Sequence, residues 1–203
     1  MPADINFRRV VAASLSTTAL FVVASFALIT SALAVDVPAD VEALDAENVM
    51  VIEVDGGAIF IELLPDVAPD HVARMKQLAG EGFYDGVVFH RVIDGFMAQT
   101  GDPTGTGRGG SSYPDLQAEF SDIDYERGIV GMARTNDPNS ANSQFFIMFA
   151  PAPSLTGAYT VFGRVVAGME NVDAIKKGSP ARNGMVDDPD AIVRARILAD
   201  LSS

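Results

Sequence analysis

Short β-favouring runs recur along most of this chain, and each is closed off by a cluster of Gly, Pro, Asp or Asn. They fall at residues 49–54, 58–63, 87–92, 96–99, 129–133, 144–149, 160–165 and 192–201. No other feature limits the fold as much, because about eight strands with helices near each end is not the alternating βαβ order of a parallel sheet. Asp55-Gly56-Gly57 between the first two runs is a hairpin signal, since glycine reaches positive φ without steric cost. In the last run Val193, Ala195, Ile197 and Ala199 alternate with polar neighbours, as a half-buried strand requires. Pro69 opens a helical stretch in which Val72, Met75 and Ala79 share a face and which stops at Gly80, where a left-handed C-cap is easiest. A second helical stretch, 169–177, is ended by Gly178-Ser179-Pro180. The pattern predicts a mainly β fold: a closed eight-stranded antiparallel β-barrel capped by two α-helices. Side chains fill the interior of a barrel that size, so a site belongs on its outer surface or rim.

Residues 1–34 read differently. Arg8 and Arg9 precede an apolar, acid-free stretch that closes with Ser31-Ala32-Leu33-Ala34. A basic start, an apolar middle and a small-x-small end make a secretory signal peptide, with cleavage expected after Ala34. The protein is then expected in the periplasm or secreted. The alternative is a membrane anchor, because residues 10–33 could span a bilayer. Interspersed Ser and Thr dilute that stretch and favour cleavage. Residues 35–48, acidic and without apolar period, read as a linker into a domain at 49–201.

Charge and composition exclude several chemistries. A chain of 203 residues with net charge −13 lacks the Lys/Arg surface that phosphates need, so no nucleic-acid partner is expected. With no Cys there is no disulfide scaffold, thiolate nucleophile or thiolate metal site. Hydrophobic residues at 48% still suffice for a real core.

Several segments tempt a functional reading and have a plainer one. Gly105-Thr106-Gly107-Arg108-Gly109-Gly110 fits a dinucleotide-binding pattern, but Ser111-Ser112-Tyr113-Pro114 follows where a helix should start, so it reads as a flexible loop. His71 reads as a solvent-facing helical residue and His90 as a core or supporting histidine. Asp122, Asp124 and Glu126 read as solvated charge. Met148 and Phe149 read as one inward and one outward strand residue.

The most informative text is Phe89-His90-Arg91-Val92-Ile93-Asp94-Gly95-Phe96-Met97-Ala98-Gln99-Thr100-Gly101-Asp102, joined by Ser143-Gln144-Phe145-Phe146-Ile147 and Val161-Phe162-Gly163-Arg164-Val165. Here the chain resembles the cyclophilin family of peptidyl-prolyl cis-trans isomerases, over essentially all of 49–201. The resemblance implies rotation about X-Pro bonds, with Arg91 and Gln99 catalytic and Phe96, Met97, Ala133, Arg134, Gln144, Phe146, Leu155 and Tyr159 binding substrate. Expected partners are proline-containing peptides and unfolded or partly folded proteins, with no metal or cofactor, and a membrane only if the leader persists. A monomer is expected. The chain departs from the family's eukaryotic pattern at Ser154, where Trp is common, at Tyr159, where many have His, and at Arg134, where many have Asn. The same fold could instead serve as a binding module without turnover.

Overall fold

A computed structural model describes residues 35–201, and the leader expected at residues 1–34 lies outside the described residues. The strands are β1 (Val49–Val54), β2 (Gly57–Leu63), β3 (Arg91–Ile93), β4 (Met97–Thr100), β5 (Ile129–Met132), β6 (Phe145–Met148), β7 (Val161–Ala167) and β8 (Arg194–Ile197). The helices are α1 (Ala39–Glu42), α2 (Pro69–Gly80), α3 (Met169–Ala174) and α4 (Leu198–Leu201). All eight strands join one sheet in the order β3-β4-β6-β5-β7-β2-β1-β8, and every pairing is antiparallel. Val54 pairs with Gly57, so the first hairpin turns on Asp55-Gly56.

The expected closed barrel needs one correction. The sheet curls, but β3 and β8 remain its two edges. The irregular chain ahead of each edge strand bridges the gap: Gly86 N–H donates to Ile192, Phe89 to Asp190 and Ile192 to Val87. This is also why the run at 87–92 forms a ladder only from Arg91. The last run is shortened too: β8 ends at Ile197 and the chain turns into α4.

Alternation sorts the side chains. Met50, Ile52, Ile59 and Ile61 enter the main core with Phe89, Phe145 and Phe162. Val72, Met75, Leu78 and Ala79 of α2 cover one end of it, and Val172 of α3 adds to it. The left-handed residue after α2 is Gly82 at φ 70°, not Gly80. His71 is fully buried rather than solvent-facing, because Glu119 receives its Nδ1 at 2.6 Å and also accepts from the Asp70 and His71 backbone N–H groups. That carboxylate serves the open first turn of α2. Residues 35–48 pack rather than hang free: Val41 is buried with Val49, Val51, Phe60 and Leu198, on the outer face of β1 and β2.

Candidate active site

Register places one row of residues across neighbouring strands. Arg91 pairs with Gln99, Gln99 with Phe146, Phe146 with Gly131, and Gly131 with Val161. Two residues along, Ile93, Met97 and Met148 form a second row on the same face. The intervening row of Val92, Ala98, Ile147 and Val130 lies in the main core, so the first two rows face outward. Gly131 matters in that row: a Cβ there would collide with the Tyr125 hydroxyl and come within 2.8 Å of Phe146. Tyr125 stacks on Phe146 at 5.7 Å and supports it from beneath, while Tyr159 meets Phe146 edge-on at 5.8 Å.

These rows and the turn at 153–159 enclose a pocket of about 200 Å³. Its lining is Arg91, Phe96, Met97, Gln99, Ala133, Arg134, Phe146, Leu155 and Tyr159. Of the site residues expected from sequence, only Gln144 lies outside it. Gln144 lines an adjoining groove of about 520 Å³ with the 107–111 loop, Asp115 and Asn142, and Gln99, Ala133 and Arg134 border both.

Hydrogen bonds tie the two spaces together. Arg91 Nη1 donates to Gln99 Oε1 at 3.1 Å, Gln99 Nε2 to Gln144 Oε1 at 2.9 Å, and Gln144 Nε2 to the Gly109 carbonyl at 2.8 Å. A guanidinium only donates and a carbonyl only accepts, so both amides have one possible orientation. On its other side Arg91 Nε donates to the Asn183 carbonyl at 3.0 Å and Nη2 to Asn183 Oδ1 at 3.1 Å. Partial burial draws the Arg91 pKa down, yet a guanidinium is basic enough to stay charged. Arg134 donates to the Ala158 carbonyl through Nε and Nη2 and lies 4.4 Å over the Tyr159 ring, so its charge is stacked on the pocket wall.

The glycine-rich segment is neither loose nor a phosphate cradle. Its N–H groups point inward to the buried Asp102 carboxylate, which accepts from Thr104, Thr106, Gly107 and Arg108 at 2.6–3.1 Å. Burial alone would raise the Asp102 pKa; the N–H bonds from Thr104 and Gly107 and the Thr104 hydroxyl outweigh it and hold the carboxyl well below the usual range. His90 is buried beneath this loop, 3.5 Å from where a Cβ on Gly107 would stand, and burial lowers its pKa. Met148 and Phe149 do face opposite ways, Met148 to the pocket side and Phe149 to the core, with both buried.

A family model of the "Cyclophilin type peptidyl-prolyl cis-trans isomerase/CLD" matches residues 49–197. The chain belongs to the cyclophilin-type peptidyl-prolyl cis-trans isomerases. It is 56% identical over 169 residues to a Brucella suis biovar 1 protein named "Probable peptidyl-prolyl cis-trans isomerase", covering 78% of this chain and 86% of that one. Identity to peptidyl-prolyl cis-trans isomerase B of Bacillus subtilis is 42% over 134 residues, covering 66% and 93%. Among solved structures, a Cryptosporidium parvum cyclophilin crystallised in the presence of the dipeptide Ala-Pro superposes with a TM-score of 0.67 at 30% identity, covering 73% of this chain and 98% of that one. This cyclophilin is therefore an isomerase of peptidyl-prolyl bonds.

Sequence reading passed over three parts of its site. Tyr125 lies in an acidic run read as solvated, and the Gly109 carbonyl is a backbone atom that no side-chain motif reveals. Asn183 did leave a trace, since Asn183-Gly184 is a left-handed turn signal.

Proposed function

We propose that this cyclophilin catalyses X-Pro rotation in exported proteins, binding the proline in the 200 Å³ pocket and acting on the amide through Arg91. The observation that carries this reading is the charged Arg91 fork, held by Gln99 at the border of a pocket walled by Phe96, Met97, Phe146 and Leu155. Rotation faces about 18–20 kcal/mol because twisting breaks amide resonance and localises the lone pair on nitrogen. A catalyst needs only to bind the twisted amide better than either planar isomer. Arg91 donates to the developing lone pair and to the proline carbonyl, and Gln99 orients it. The apolar walls exclude water and strengthen those polar contacts. Residues 107–111 and Gln144 receive the peptide beyond the proline. The Cryptosporidium parvum relative, solved with Ala-Pro present, supports a proline-containing peptide as the occupant.

Arg91→Ala is expected to lower turnover of a proline peptide by more than about tenfold with unchanged circular dichroism, as loss of a preorganised donor does. Wild-type turnover in that variant would overturn the assignment. Family membership implies a site for cyclosporin that is gripped by the indole N–H of the Trp common at this position; exposed Ser154 lacks that donor, so cyclosporin is expected to bind weakly, and tight binding in a titration contradicts this view of the rim. The export reading rests on residues 1–34 and is tested by the mass of the exported protein. A chain beginning at Val35 supports cleavage, and a full-length chain supports a membrane tether.

A further inference from the structure

The segment after α3 is fastened along β3. Gly178 N–H donates to the Val92 carbonyl and Val92 N–H to the Gly184 carbonyl, at 2.9 and 2.8 Å. Val186 N–H donates to the His90 carbonyl at 3.1 Å, and Met185 bridges both Arg91 and Ser179. The approach is close enough to demand glycine: a Cβ at Gly184 would collide with Ile93, and one at Gly178 with the Gly184 carbonyl. Asn183 stands at the tip of this tight turn with φ 54°, a conformation that Asn tolerates far better than most residues. The turn thereby presents two acceptors from one residue, its carbonyl and its Oδ1, to the parallel Nε and Nη2 donors of Arg91.

Resting on the role given to Arg91 above, we infer that Asn183 is a positioning residue for isomerisation: it locks the Nε–Nη2 edge of Arg91 while Gln99 holds Nη1. A long arginine side chain otherwise samples many rotamers, and each must be lost when the amide is gripped. Clamped from both sides, the guanidinium is ordered before substrate arrives, which is the condition under which a donor favours the transition state most. Asn183 does not line the proline pocket, so its Oδ1 serves the reacting geometry rather than the binding of the ring.

The test compares Asn183→Gly, Asn183→Asp, Arg91→Ala and the double variant in a protease-coupled assay over a range of peptide concentrations. Gly keeps the left-handed turn and the carbonyl but deletes Oδ1; Asp keeps the turn and a side-chain acceptor. Asn183→Gly is expected to lower kcat about tenfold with KM within about twofold, the signature of a misplaced group acting in the transition state. Asn183→Asp should stay within about threefold of wild type, and Asn183→Gly should add nothing in the Arg91→Ala background. In ¹⁵N spectra the Arg91 Nη pair should be resolved by hindered rotation in wild type and coalesce in Asn183→Gly. Wild-type kcat in Asn183→Gly beside an impaired Arg91→Ala overturns the inference alone. Equal losses in the Gly and Asp variants mark a merely structural turn and also overturn it. Wild-type turnover in Arg91→Ala removes the reading of Arg91 and the inference with it.

Discussion

Asp102 shows how one side chain sets a whole loop. Four backbone N–H groups converge on it, so the segment that most resembled a phosphate-binding loop has spent its donors on an internal anion. Asp102→Ala takes the shared acceptor from these donors and is expected to cost about 2 kcal/mol in urea unfolding. The pH dependence has a definite sign. The native carboxyl titrates below the ~4 of an unfolded aspartate, so its stabilisation is complete above that pH and is lost as pH falls through the native value. Acidification below about pH 4 should therefore destabilise wild type more than Asp102→Ala. The same loop supplies the Gly109 carbonyl that fixes Gln144, Gln99 and Arg91 in one donor–acceptor order. The residue types at the site could be read in the FHRVIDGFMAQTGD and SQFFI segments; that order could not, because it ends on a backbone oxygen 35 residues from Gln144 in sequence.

At the scale of elements, α2 is the clearest case of a local signal completed from a distance. Pro69 and the apolar spacing of Val72, Met75 and Ala79 define the helix, yet Ala68 at its N-cap offers no side-chain acceptor. Glu119, from the long connection between β4 and β5, takes that part and pairs with the buried His71 ring. Glu119→Ala frees two helix N–H groups and His71 Nδ1, and should cost about 2 kcal/mol. For a domain of this size that is a fall in Tm of roughly 4–8 °C. His71 could not be placed from sequence because its face of α2 becomes interior only when this connection folds over it. Strand ends moved for a similar reason: residues 87–90 have strand composition but serve as the bridge that draws the sheet edges together.

In the whole molecule, the two ends of the sheet differ in what lies on their outer face. The apolar outer face of β1 and β2 is covered by α1 and α4, while the outer face of β3, β4, β6 and β5 carries the pocket proposed as the site. Val41→Asp places a charge in the covered cluster and is expected to cost about 3 kcal/mol, with turnover at the remote pocket retained below the melting transition. Loss of turnover in the folded variant would show that the two faces are coupled.

Alternation, turn residues and helix stops depend on near neighbours, so the sequence alone determined a mainly antiparallel β fold with the helices α2 and α3, while the residues of the pocket came from the resemblance to the cyclophilins. Only tertiary structure decided how the sheet edges meet, which loop N–H groups face Asp102, that residues 35–48 shield a strand face, and that Asn183 meets Arg91. Each of those contacts joins groups separated by loop or backbone geometry. Their energies depend on distance and direction in space, which a one-dimensional pattern does not carry.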